Sequence, residues 1–388
     1  MSLPCFLFLF LFLFLLSLLH GCTSLPSIGV TYSPPSTTPA AAASSSRLPD
    51  HVAETIDSLR FSYVRLPDSD PALIRAFAYT NISLLLGIPE PMVPALASNR
   101  SAALRWIYRH VLPFYPRSKI SLISVGNDVF NSSPDVSPFV LPAIRNLRFA
   151  LVDLGIKKIP VSTTFSFFNI ITTAFPPSAA HFQQPAGDLI LNPLLQFLEN
   201  TNSSFLVNLY PYNMYKLNCE IPIGFALFQD HPLNFRDDII TGVRYRNLFD
   251  MMVDAVISAL AVSGHENVPL IVAETGWPSA GIDTGEVDAT DFYAEMYLKG
   301  LVHHLKSGLG TPLRKEGVSE LYIYELFDGN LKGGSKNWGI LFQNMTQKYK
   351  VDYSGAGDAE KKNFVALVVF FLVVILGRDL LSGGGIPL

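Results

Sequence analysis

The sequence predicts a single-domain α/β protein, a (β/α)8 barrel of the TIM type. Short runs of β-branched and apolar residues alternate with longer amphipathic ones, the pattern of a parallel sheet with crossover helices. The 388 residues are 49% hydrophobic and 15% charged, as suits a well-packed globular chain, and one barrel of about 250 residues or more uses most of that length. No G-x-G-x-x-G or G-x-x-x-x-G-K-S/T follows the first strand, which argues against the competing doubly wound open sheet.

Strands are expected near Ile28 to Tyr32, Tyr63 to Leu66, Ser83 to Ile88, Ile120 to Val125, Ile159 to Thr163, Phe205 to Leu209, Leu270 to Glu274 and Leu321 to Leu326. Each is short, apolar and bounded by turn-forming residues, as strands buried on both faces should be. Helical periodicity falls between them, at Ala102 to Val111, Val140 to Leu154 and Leu248 to Val262, with Trp106, Ile107 and Val111 sharing an apolar face. After the first strand, Ser33 to Ser46 reads S-P-P-S-T-T-P-A-A-A-A-S-S-S, a low-complexity stretch whose proline and serine content predicts a loop.

Both ends read as processing signals. Phe6 to Leu19 is nearly pure Phe and Leu and is followed by the small residues Gly21, Thr23 and Ser24, the order of a secretory leader spanning residues 1–24. Only the amino terminus supplies positive charge ahead of the run, so a short membrane anchor is the competing reading. At the other end come the small residues Ser354 to Gly357, a polar stretch from Asp358 to Asn363 and the apolar run Phe364 to Gly377, too short to cross a bilayer comfortably. Small residues, polar spacer and discarded apolar tail make up a GPI-attachment signal, placing the propeptide at 354–388 and the barrel at 25–353. The sequons at Asn81, Asn99, Asn131, Asn202 and Asn344 fit a secreted, glycosylated chain on the outer face of the plasma membrane or in the cell wall.

A formal net charge of -4, without a basic stripe, argues against nucleic acid as a partner. Cys5 and Cys22 lie in the leader and Cys219 stands alone, so no disulfide framework is expected. Neither cysteines nor histidines show metal-ligand spacing, and neither a metal nor any other cofactor is expected.

In such a barrel the chemistry sits at the C-terminal ends of strands. Asp128, ending S-V-G-N-D, and Glu274, in V-A-E-T-G-W-P, close strands four and seven. Two carboxylates facing across a cleft are what glycoside hydrolysis requires, one to donate a proton and one to act as nucleophile or base. Asp128 also has a simpler reading, as a cap for turn or helix backbone. Tyr32, Tyr210, Tyr212, Trp277 and Phe327 lie at or just after strands, where rings can pack on the apolar C–H faces of sugars.

Together these residues resemble the plant β-1,3-glucanases of glycoside hydrolase family 17. The likeness spans about Ile28 to Phe342 through I-G-V-T-Y, V-R-L-P-D-S-D-P, L-L-G-I-P, I-S-V-G-N-D, P-V-S-T-T-F-S, V-N-L-Y-P-Y, V-A-E-T-G-W-P-S and Y-E-L-F-D-G-N-L-K. The resemblance implies a monomeric, retaining endo-hydrolase of β-1,3-glucan such as callose, with Glu274 as nucleophile and Asp128 as general acid/base. It also implies substrate contacts from Asn127 and Lys332. The chain departs from the family pattern at several points. The acid/base is normally Glu and is Asp128 here; Thr31 replaces an Asn, Pro67 an aromatic and Gly329 a Glu, and Gly333 to Asn337 is shortened. An Asp is one methylene shorter, and a displacement of about 1 Å in a catalytic group can cost on the order of a hundredfold in rate. The alternative expectation is therefore a glucan-binding surface protein with weak hydrolysis or none.

Overall fold

A computed structural model of the chain describes residues 26–34, 48–283, 285–328 and 336–354. The expected leader at 1–24, residues 355–388 of the expected GPI-attachment tail, most of the loop at 33–46 and Lys332 lie outside the described residues.

Eight parallel strands close on themselves: β1 (Ser27–Thr31), β2 (Tyr63–Leu66), β3 (Ser83–Ile88), β4 (Lys119–Asn127), β5 (Val161–Ser166), β6 (Phe205–Asn208), β7 (Leu270–Thr275) and β8 (Glu320–Ile323). Each pairs with its sequence neighbours, and β8 pairs with β1 to complete the barrel. Several strand boundaries differ from expectation by one to three residues. β5 begins at Val161 rather than Ile159, because Pro160 has no N–H to give a ladder. β8 ends at Ile323, although the Tyr324 and Leu326 N–H groups still reach the carbonyls of Thr275 at the end of β7 and Thr31 at the end of β1.

The barrel interior is packed with Leu85, Leu122, Leu206, Ile271, Ala273 and Tyr322, with Tyr63 against them. Gly29 makes room for the two tyrosines. A Cβ there would sit 2.7 Å from the Tyr322 ring and 2.8 Å from Tyr63 Cβ.

Outside the sheet run α1 (Pro49–Ser58), α2 (Pro71–Ala76), α3 (Arg100–His110), α4 (Val140–Asp153), α5 (Asn192–Asn200), α6 (Leu248–Val262) and α7 (Asp291–Ser307). The three helices read from periodicity are α3, α4 and α6, within two residues at each end. Trp106, Ile107 and Val111 are buried as their spacing requires. Side-chain caps fix several starts: Asn99 accepts from Ser101 N–H at α3, Asn247 from Asp250 N–H at α6 and Thr290 from Tyr293 N–H at α7. A second, larger core fills the space between sheet and helices.

Candidate active site

Two irregularities in the sheet aim the site. Along an undisturbed strand, side chains alternate between barrel interior and helix layer, so Ala273 inside would put Glu274 outside. β7 instead holds one more residue than both neighbours. Val207 and Asn208 of β6 pair with Val272 and Glu274, and Leu321 and Ile323 of β8 pair with Val272 and Thr275. The bulge turns Glu274 toward the mouth of the barrel. β4 has the same device, since its Ser124 and Asn127 pair with Ser162 and Thr164 of β5. Gly126 sits in this bulge with φ of 76°, and a Cβ there would also meet Val129 Cγ1 at 2.7 Å. The glycine of V-G-N-D is thus what lets Asn127 and Asp128 turn over the rim.

Glu274 is 7% exposed and held on both oxygens. Oε1 accepts from Arg65 Nη1 of β2 at 2.5 Å and from Asn127 Nδ2 of β4 at 3.3 Å. Oε2 accepts from the Tyr210 hydroxyl at 2.5 Å. Burial, followed by the charge of Glu274, pushes the Tyr210 phenol well above its ordinary range, which keeps it a proton donor to the carboxylate. Asn127 is itself fixed, its Oδ1 accepting from Asn208 Nδ2 at 3.0 Å and its N–H donating to Glu90 Oε1 at 3.0 Å. Strands β2, β4 and β6 therefore each send a side chain to the network around the β7 carboxylate. Among the described residues Thr31 Oγ1, Arg65 Nε and Asn208 Oδ1 are buried without a hydrogen-bond partner.

Asp128 occupies the left-handed backbone region, φ 57° and ψ 45°, which Asp tolerates better than most residues. It stands at the start of a short helix, Val129–Ser132, yet its side chain does not cap that helix. The carboxylate reaches sideways to the end of β5. Oδ1 accepts from Ser166 N–H at 3.1 Å and from Asn169 Nδ2 at 2.8 Å, and Oδ2 accepts from Asn169 Nδ2 at 3.0 Å. Burial, aided by the negative charge of Glu274, raises the Asp128 pKa from its ordinary value, while the donors from Asn169, Ser166 and Asn131 oppose it.

The aromatic residues divide into two groups. Tyr32, Tyr212, Trp277 and Phe327 are between 0% and 4% exposed. Tyr32 packs edge-on against Phe327, and Tyr212 against Trp277, whose indole N–H donates to Asp288 O. These four build the wall of the mouth and present almost no ring face to solvent. Half-buried rings come instead from Tyr210, Tyr324 and Trp338, mutually packed with centroids 5.0 to 6.1 Å apart. Sequence reasoning picked out Tyr210 and missed Tyr324, Trp338, Arg65, Asn208 and Asn169. Arg65 carried a readable signal, a charge inside an otherwise apolar strand. Asn169 carried none.

Residues 42–353 match the sequence profile of the glycosyl hydrolases family 17. The chain is 38% identical over 315 residues to glucan endo-1,3-beta-glucosidase 2 of Arabidopsis thaliana, covering 80% of this chain and 62% of that one. It is 39% identical over 321 residues to glucan endo-1,3-beta-glucosidase 7 of the same plant, with 81% and 62% covered. It thus spans less than two thirds of the length of these relatives. Among solved structures, it is similar to a β-1,3-glucanase and allergen of Cryptomeria japonica pollen, with TM-score 0.77 and 33% identity over 84% of this chain and 99% of that one. A structure of plant β-glucan endohydrolases with distinct substrate specificities gives TM-score 0.74 and 30% identity, with 84% and 99% covered.

Proposed function

The chain belongs to the glycosyl hydrolases of family 17, and from that premise we propose that it is a retaining endo-hydrolase of β-1,3-glucan in which Glu274 is the nucleophile and Asp128 the general acid/base. The observation that carries this reading is the pair of bulged strand ends. They bring two carboxylates of unlike environment to one barrel mouth, Glu274 gripped by Arg65 and Tyr210 and Asp128 half-buried with its proton affinity raised. A carboxylate held by an arginine suits the nucleophile, and one whose proton affinity is raised by burial suits the acid.

In the first step a Glu274 oxygen attacks the anomeric carbon and Asp128 gives its proton to the departing glycosidic oxygen. In the second, Asp128 takes a proton from water, which displaces Glu274 with net retention. The three donors on Glu274 hold its oxygens in place for attack, and the half-buried rings of Tyr210, Tyr324 and Trp338 offer apolar surface to the sugar. Tyr32, Asn127, Tyr212, Trp277, Phe327 and Lys332 complete the proposed binding residues; the four buried rings among them act by shaping the wall.

The second reading, a glucan-binding surface protein with little hydrolysis, is favoured by one observation: the short Asp128 side chain is drawn toward Asn169 and Ser166. Incubating the purified protein with linear β-1,3-glucan separates the two. Release of shorter oligosaccharides with retained β configuration supports the enzyme, and saturable binding without release supports the binder.

The proposal extends to the chain ends: residues 1–24 as leader, 25–353 as a monomeric catalytic barrel and 354–388 as a tail exchanged for a GPI lipid, leaving a glycoprotein on the outer face of the plasma membrane or in the cell wall. In keeping with this, Asn81, Asn99, Asn131, Asn202 and Asn344 are all exposed. No helix among the described residues is long and apolar enough to cross a membrane.

A further inference from the structure

We propose that Asn169 is a positioning residue for the acid: its amide, with the Ser166 N–H beside it, holds the Asp128 carboxylate in one orientation and sets the pH at which that group loses its proton. The inference rests on the assignment of Asp128 as acid/base and adds to it a residue on a different strand end.

The geometry is that of a clamp. β5 ends at Ser166 and turns at once into the short helix Phe167–Ile170, which carries Asn169 back toward the barrel mouth. One Asn169 nitrogen stands 2.8 Å from Oδ1 and 3.0 Å from Oδ2, and Ser166 N–H adds a third bond to Oδ1 at 3.1 Å. A donor shared between both oxygens fixes the plane of the carboxylate, the torsion that in Asp is otherwise broad. The backbone is fixed as well, because Asp128 N–H donates to Thr164 O of β5 at 2.9 Å. A carboxylate this short has little reach to spare, so its orientation decides whether its proton points at the substrate.

The same donors act on protonation. The groups facing Asp128 are Asn169 and Ser166 N–H from the β5 end, Asn131 from its own short helix, and Glu274 from β7. Glu274 in turn faces Arg65 of β2 and Tyr210 after β6. Donors favour the ionised form, whereas burial and Glu274 favour the protonated one. Removing Asn169 therefore shifts the balance toward the proton. A charge-assisted bond of this kind corresponds to a displacement of about one pH unit or somewhat more.

The test uses the full chain with Asn169→Leu, which keeps the branched shape and removes the donor, and Asn169→Gln, which keeps the donor. Carbon-13 labelling of aspartate carboxyls follows the titration of Asp128 directly, assigned by its loss in Asp128→Ala, and needs no turnover. The midpoint should rise by about one unit in Asn169→Leu and return at least halfway in Asn169→Gln. In hydrolysis of linear β-1,3-glucan, Asn169→Leu should lower kcat roughly ten- to a hundredfold with KM within about twofold, and move the alkaline limb of kcat/KM upward. Cleavage of a dinitrophenyl glycoside, whose leaving group needs no proton, should keep its first step unchanged. An unshifted midpoint in Asn169→Leu overturns the inference. So does an equal loss on both substrates with no movement of the limb, which marks a merely structural residue. If Asp128→Ala keeps the alkaline limb, the acid assignment itself fails. If Asp128→Ala removes the limb and Asn169→Leu leaves it in place, only the role of Asn169 fails.

Discussion

Replacing Arg65 by Met should expose how strongly the barrel mouth depends on one ion pair. The side chains of Arg65 and Glu274 are 2% and 9% exposed, and their closest atoms are 2.5 Å apart. At an effective dielectric near 20, that separation corresponds to about 7 kcal/mol of gross attraction, most of it offset by removing both charges from water. Deleting one partner of such a pair leaves the other buried and uncompensated, which typically costs about 3 to 5 kcal/mol. Tyr210 and Asn127 still donate to Glu274 after the change, so the lower end, about 3 kcal/mol, is expected for Arg65→Met. Across a barrel of this size, with an unfolding entropy of about 2.1 cal/mol/K per residue, that is a fall in Tm of roughly 4 °C. Glu274→Gln should also destabilise, since it strands the arginine. The double variant Arg65→Met/Glu274→Gln should recover at least about 2 kcal/mol relative to the sum of the singles, because no buried charge is left unpaired. Equilibrium denaturation of all four proteins completes the cycle. A loss under about 1 kcal/mol in Arg65→Met, or simple additivity in the double variant, would refute the claim that the two charges are held as one buried unit.

Four further outcomes are expected. Glu274→Ala should lower turnover of β-1,3-glucan by roughly 10⁴-fold or more while leaving saturable binding nearly intact, as kinetics and pull-down on insoluble glucan will report. Asp128→Ala should cost about 10²- to 10⁴-fold on glucan and little on the first step with a dinitrophenyl leaving group, measured in parallel assays. Asp254 on α6 is fully buried, and burial raises its pKa to about 7. With the folded value above the unfolded one for an acid, the folded state binds more protons between about pH 4 and pH 7. Stability should therefore fall with rising pH across that window, by up to about 4 kcal/mol, and the fall should be smaller in Asp254→Asn when denaturation midpoints are compared at pH 4.5 and 7.5. Finally, if the C-terminal tail is exchanged for a GPI lipid as proposed, phosphatidylinositol-specific phospholipase should release the protein from membranes; retention with the C-terminal run still attached would point to a short membrane-inserted anchor instead.

The strands were legible because each is a short apolar run buried on both faces, and the ends of β2 and β3 coincide with the ends of those runs. The bulges were not legible, because a bulge is a mismatch between neighbours and no single strand records it. Gly126 is the partial exception: its left-handed φ gives a reason for a glycine just before Asn-Asp. The carboxylates could be chosen from their places at strand ends. Their partners were scattered across β2, the β5 end and the β6 end, and nothing local connects Asp128 with a residue 41 positions further on. The aromatic residues failed as a uniform set for a related reason. Position at a strand end places a ring near the mouth, but tertiary packing decides whether its face is covered. Tyr212 and Trp277 cover each other, and Trp338, far from any strand in the sequence, is left half-exposed beside Tyr210.

The Asp at position 128 makes opposite demands on stability and rate. In the left-handed region Asp is accommodated more readily than Glu, so Asp128→Glu should cost a fraction of a kcal/mol to about 1 kcal/mol in backbone preference. The longer side chain would also carry its carboxylate past the nitrogen of Asn169 and the Ser166 N–H, which meet the present one at 2.8 to 3.1 Å. If reach limits proton donation, Asp128→Glu gains rate on glucan despite losing those bonds, and Asn169→Leu then becomes nearly silent in the Glu background. If orientation limits it, Asp128→Glu is slower than the native chain. The two substitutions therefore couple in both cases, with opposite sign for the single Glu variant, and kinetics on the four combinations decide whether this barrel mouth works because of its clamp or in spite of it.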